Sequence, residues 1–157
     1  MMNVRGVAGL TALFFLFFST MSFAQISITD AWARATFPMA NSGAVYLTLS
    51  NKSNSELVLE SVATEASIAR AAQIHTTLMS EGMMKMREMK KGLVIPAQGS
   101  VVLEPGAAHI MLVGLKVGLT EGQTVPLYLQ FSNGQSSSVN VPVKPAEDRD
   151  MPAHHHH

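Results

Sequence analysis

The 157-residue sequence is 47% hydrophobic, contains no cysteine, and balances 11 lysines and arginines against 11 aspartates and glutamates. A neutral chain lacks the basic excess that nucleic acid or an anionic membrane surface would require. Without cysteine there is no thiol redox chemistry, no disulfide support, and no thiolate for a blue-copper electron-transfer centre.

Taken from the amino terminus, Arg5 precedes an apolar run from Val7 to Phe18, and Ser22-Phe23-Ala24 follows as a small-x-small cleavage signature. Residues 1–24 are therefore expected to be a secretory signal peptide, cut after Ala24. The apolar run is shorter than the ~20 residues a spanning helix needs, so removal is preferred over a retained anchor, and the mature chain is expected to have no membrane span. A lipoprotein anchor is not expected, because it needs a cysteine. Residues 25–145 then form one domain large enough for a hydrophobic core, and residues 146–157 a flexible histidine-containing tail.

Within the domain, short apolar runs alternate with turn signals. Ala44 to Leu49 alternates in polarity and stops at Asn51-Lys52-Ser53-Asn54-Ser55, and Glu56 to Leu59 follows at once. The two runs are expected to pair as neighbouring strands. Leu93 to Ile95, Val101 to Leu103 and His109 to Leu115 are further strands, and Val125 to Phe131 with Ser138 to Val143 flank Ser132-Asn133-Gly134-Gln135, a tight hairpin turn signal. This spacing predicts an all-β, antiparallel sandwich or barrel without internal repeats.

Residues 63–89 admit two readings. Ala66, Ile68, Ala69, Ala71, Ala72 and Ile74, with Met79, Met83 and Met86 at offsets of four and three, fit a buried helical stripe. Gly82 interrupts that stripe, however, and Met84-Lys85-Met86-Arg87 alternates apolar with charged as a half-buried strand does. The strand reading is preferred.

Only two histidines, His75 and His109, lie in the body of the chain, and both stand near methionines. His75 precedes Met79, Met83, Met84, Met86 and Met89; His109 is two residues from Met111. Imidazole and thioether together suit a soft monovalent metal, so His75, Met86, His109 and Met111 are candidate ligands for Cu(I). On a strand His109 and Met111 share one face, as do Met84 and Met86. Methionine is also the common filler of irregular cores, and composition and spacing leave ligand and filler evenly matched.

The segment His75-x10-Met86-x22-His109-x-Met111, the opening Asp30-Ala31-Trp32-Ala33-Arg34-Ala35, and His109-Ile110-Met111-Leu112-Val113-Gly114-Leu115-Lys116 closely resemble the periplasmic copper chaperones called PCuAC. The similarity runs from about Asp30 to Val143. It implies a cupredoxin-like Greek-key β-sandwich, a periplasmic location, and a solvent-accessible Cu(I) site formed by His75, Met86, His109 and Met111. It also implies copper delivery towards the binuclear CuA centre of cytochrome c oxidase subunit II, in cooperation with a Sco-type partner. Met79, Met83 and Met84 fall where relatives are often methionine-rich, which makes them secondary sulfur donors. Ala107-Ala108 departs from the glycine and aromatic residue that relatives commonly carry before the closing histidine.

The terminal His154, His155, His156 and His157 read as a separate tail able to bind Cu(II) weakly. A native tail is preferred over a cloning remnant. Trp32 and Arg34 are expected to be structural, the indole in the core and the guanidinium hydrogen-bonded nearby. Asp30 is the only aspartate before the tail and no Gly-x-Ser-x-Gly elbow is present, so no hydrolytic triad is expected and the chain is not read as an enzyme. Lys85, Arg87, Lys90 and Lys91 form a solvated basic face, or a dock for an acidic partner. A monomeric copper carrier is the leading expectation, copper storage or uptake the alternative, and a metal-independent interaction module the third reading.

Overall fold

The computed structural model describes residues 25–146, all of it strand and connection. The leader expected over 1–24, and the tail with His154 to His157, lie outside the described residues. Ten strands form: β1 (Ile26–Arg34), β2 (Ser42–Asn51), β3 (Leu57–Thr64), β4 (Ala69–Ser80), β5 (Met83–Glu88), β6 (Leu93–Ile95), β7 (Ser100–Leu103), β8 (His109–Leu115), β9 (Thr124–Phe131) and β10 (Ser136–Lys144).

Their order is β5-β4-β8-β2-β1-β10-β9-β3-β6, with β7 also paired to β2. Pairing is antiparallel except where β1 meets β10 over Ala33↔Val143 and Arg34↔Lys144. That two-residue parallel seam joins two antiparallel leaflets, and one core fills the space between them. Val45, Leu47, Leu49, Ile110 and Leu112 supply it from the first leaflet, Leu59, Ile95, Leu127, Leu129 and Phe131 from the second. All are 1% exposed or less, as the inward half of a period-two pattern should be.

Residues 44–49 and 56–59 do form strands, but they do not pair with each other. β2 pairs with β1, β7 and β8, whereas β3 pairs with β6 and β9 in the other leaflet. Asn51 explains the crossover. Its buried amide donates to the carbonyls of Ser55 at 2.8 Å and Pro96 at 3.1 Å, while its Oδ1 accepts from the Ser53 backbone N–H at 2.9 Å and hydroxyl at 2.7 Å. The turn signal between the runs therefore carries the chain from one leaflet to the other instead of closing a hairpin.

Two turns use glycine differently. At the β9–β10 hairpin only Gly134 has positive φ (81°), and Phe131 N–H bonds to the Gln135 carbonyl at 2.9 Å, so the Asn-Gly signal closes a three-residue loop. At the β4–β5 hairpin Glu81 (φ 54°) and Gly82 (φ 75°) are both left-handed, and Ser80 pairs directly with Met83. That two-residue turn matches the twist of its strands, while pairing of Ala69 to His75 with β8 overrides the helical propensity of that stretch. β1, which was not foreseen as a strand, carries a bulge: Thr29 pairs with Thr48 but Trp32 with Tyr46, and Asp30 takes φ 53°. The extra residue turns Trp32 to the face of Tyr46, where its indole is still buried, at 6% exposure, as expected of it, but against Tyr46 and not in the main inter-leaflet cluster.

Candidate metal centre

β4 and β8 set the geometry. Their register places His75 opposite His109 and Gln73 opposite Met111, with Ile74 opposite Ile110 between them. Ile74 and Ile110 point into the core, so the alternation sends the four polar and sulfur-bearing side chains to the outer face. The two imidazole centroids are 5.8 Å apart.

β5 brings sulfur to the same face. Met86 pairs with Thr77, two residues beyond His75, and Met84 pairs with Met79. Met86, His109 and Met111 line one open pocket of about 250 Å³ together with Arg34, Ala44 and Tyr46. Three of the four candidate ligands thus share a pocket, and the fourth, His75, joins them through its ring contact with His109. Met83 is placed elsewhere, opposite Ser80 on the other side of the hairpin.

The expected half-burial of β5 is inverted. Met84 and Met86 are 64% and 62% exposed, whereas Lys85 between them is only partly exposed. β8 begins at His109, so β4 beyond His75 has β5 as its only described partner, and the ribbon overhangs the sandwich. Its methionines have no opposing layer to fill, which removes the filler reading for Met79, Met84 and Met86.

Both imidazoles are oriented by neighbours two residues away. Nδ1 of His109 donates to the Ala107 carbonyl at 3.1 Å, leaving the Nε2 lone pair free of that bond. Nε2 of His75 donates to Oε1 of Gln73 at 3.0 Å, and its Nδ1 is buried with no hydrogen-bond partner. A fixed proton on one nitrogen and an available lone pair on the other is how a ligating histidine is usually held. Burial pushes His75 below the ordinary histidine value of 6.5; the neighbouring His109 adds to this and Glu88 opposes it. Among the described residues no three His, Cys, Asp or Glu side chains converge as a metal site, so a soft set of imidazole and thioether is the donor chemistry this face offers.

Residues of the supporting layer were not anticipated. Tyr46 lies 4.7 Å from Trp32 and 6.4 Å from His109, ring centroid to centroid, forming an aromatic chain beneath the site. Arg34 lines the pocket with its guanidinium carbon 5.9 Å from the Tyr46 centroid, a more direct place than the structural role expected of it. Trp-x-Arg in the opening motif was the available signal; Tyr46 and Gln73 had none beyond strand alternation.

An outer-face imidazole pair with thioethers on a two-leaflet β-sandwich is the donor arrangement that the fold presents. Comparison with known proteins gives its family: the chain belongs to the LpqE-like family, described as "Putative lipoprotein LpqE-like", which matches residues 26–143. It is 37% identical over 121 residues to "Putative lipoprotein Lxx21020" of Leifsonia xyli subsp. xyli, covering 76% of this chain and 69% of that protein. Among solved structures it resembles Cu(I)-bound DR1885 from Deinococcus radiodurans, with 36% identity over 73% of this chain and 74% of that one and a TM-score of 0.58. The apo PCuAC domain of PmoF1, at 18% identity, has the same fold with a TM-score of 0.63 over 78% of this chain and 95% of that domain. The fold is thus that of PCuAC domains, the cupredoxin-like sandwich that the sequence motif implied.

Proposed function

We propose that the protein is an exported Cu(I) carrier that holds the ion with His75, Met86, His109 and Met111 and releases it to a cysteine-containing acceptor. The observation that carries this reading is the convergence of Met86, His109 and Met111 on one open pocket beside the His75 imidazole, whose buried Nδ1 has no other partner. Its support from relatives is the 36% identity to a chain solved with Cu(I).

The donor set explains why such a site would carry the ion and not keep it. Four neutral ligands favour a monovalent soft ion over a divalent one. The chain itself has no thiolate with which to compete against an acceptor. Met86 is exposed and sits on the overhanging ribbon, so an incoming thiolate can displace its thioether while the buried His109 still holds the ion. Transfer through a shared-ligand intermediate then runs towards sulfur of higher affinity.

Export follows from the leader expected over residues 1–24, and is supported by relatives named as lipoproteins. The periplasm is the compartment we assign, and oxidase CuA assembly, through subunit II or a Sco-type protein, is the delivery route. No helix of the described residues is long and apolar enough to cross a membrane. The terminal histidines are assigned to weak Cu(II) binding apart from this site. Titration of Cu(I) against a chromophoric chelator, on a chain truncated before His154, tests the reading. One tightly held ion is expected, lost when Met86 and Met111 are both replaced by leucine. Unchanged tight binding by that double variant overturns the ligand assignment.

A further inference from the structure

We infer that the overhanging β4–β5 ribbon carries a second soft-metal site, made only of thioethers, in which Met79, Met84 and Met86 receive a monovalent d10 ion before it reaches the histidines. This rests on the reading of His75, His109 and Met111 as the holding site. Three observations lead to it. Met79 and Met84 occupy directly paired positions, and Met86 follows Met84 by two residues, so all three side chains leave the same face. Directly opposed residues in an antiparallel pair have Cβ atoms about 5 Å apart, a separation that long thioether side chains can close around one ion. Finally, Met79, Met84 and Met86 are 71%, 64% and 62% exposed, so none of them fills a core.

The face is continuous with the pocket below it. Met86 lines that pocket with His109 and Met111, and it also neighbours Met84 along the strand. A single side chain thus belongs to both donor sets. An ion captured at the tip by Met79 and Met84 can pass to His75, His109 and Met111 by exchanging thioethers at Met86, without a free aqueous ion at any stage. Oxidation state and charge are unchanged throughout; only ligands are exchanged. Met83 takes no part, because it opposes Ser80 on the other side of the ribbon.

Silver(I), a redox-inert stand-in, is the probe, titrated into the full chain with the methionine methyl groups followed by NMR. The first equivalent is expected to shift Met111 and Met86, and the second to shift Met79 and Met84. In His75→Ala/His109→Ala the Met79 and Met84 shifts persist while the tight equivalent is lost. In Met79→Leu/Met84→Leu the tight equivalent persists, the second disappears from the ribbon, and loading of the first slows. Unmoved Met79 and Met84 methyls at two equivalents, in wild type and in the histidine double variant, overturn the ribbon site and leave the holding site standing. Failure of Met111 to shift while Met79 and Met84 do would overturn the holding site instead.

Discussion

His75 and His109 face each other across neighbouring antiparallel strands, 34 residues apart in sequence and 5.8 Å apart between ring centroids. Each has one nitrogen engaged by a group two residues before it, Gln73 for the first and Ala107 for the second. His75 is thus oriented from within its own strand, and His109 by the connection that leads directly into β8.

Gln73 is the replaceable half of that arrangement. Gln73→Ala removes the acceptor of the His75 Nε2–H and frees the ring to turn. Cu(I) affinity should fall by about 10–100-fold, as for other partners that hold a ligating histidine. Thermal stability without metal should change little. Chelator competition and a melting curve on the same sample check both halves.

The lowered His75 value gives a pH dependence of definite sign. Its folded value lies below the unfolded one, so the unfolded chain binds more protons in the interval between them. Stability from this group is fully present above about pH 6.5 and is lost as pH falls through the lower folded value. Urea unfolding of the metal-free protein should show this loss, and His75→Gln should diminish it. The same shift postpones proton competition for Cu(I) at His75 to pH values below the ordinary histidine range.

Asn51 should matter to folding and not to copper. Asn51→Ala leaves the Ser55 and Pro96 carbonyls and the Ser53 donors without their buried partner. The expected cost is roughly 2–4 kcal/mol, read as a lower urea midpoint at unchanged slope. Copper stoichiometry of the folded fraction should stay the same.

The two faces of the ribbon separate otherwise similar methionines. Met86→Leu should weaken Cu(I) binding, and Met83→Leu, three residues away on the opposite face of the same strand, should not. Equal losses from both would show that the register is not what selects the ligand.

Most of the fold was legible in period-two patterning. The strands within residues 93–95, 101–103, 109–115 and 125–131 all appear, because each buries its apolar half in a common core. Pairing was harder to read, since Asn51 acts through contacts to Ser55 and Pro96 that no local pattern announces. The same holds for Trp32: its residue type gave its burial, but a single bulge at Asp30 set which face it is buried on. Of the candidate site, the His-x-Met spacing was readable and the face of each ribbon methionine was not. Those faces depend on a two-residue turn at Glu81-Gly82, and one residue more would reverse them all.

The overhang of β4 and β5 has a mechanical consequence. A two-stranded ribbon without a third strand or a covering layer is marginally stable in water. Met86 belongs to the ribbon, while His109 and Met111 belong to the body of the sandwich. An ion held by all three would act as a rivet between an arm and its chassis, and departure of the ion would release the arm. Backbone hydrogen exchange along Thr76 to Arg87 would then serve as a gauge of cargo: slow when the carrier is loaded, fast once it has delivered.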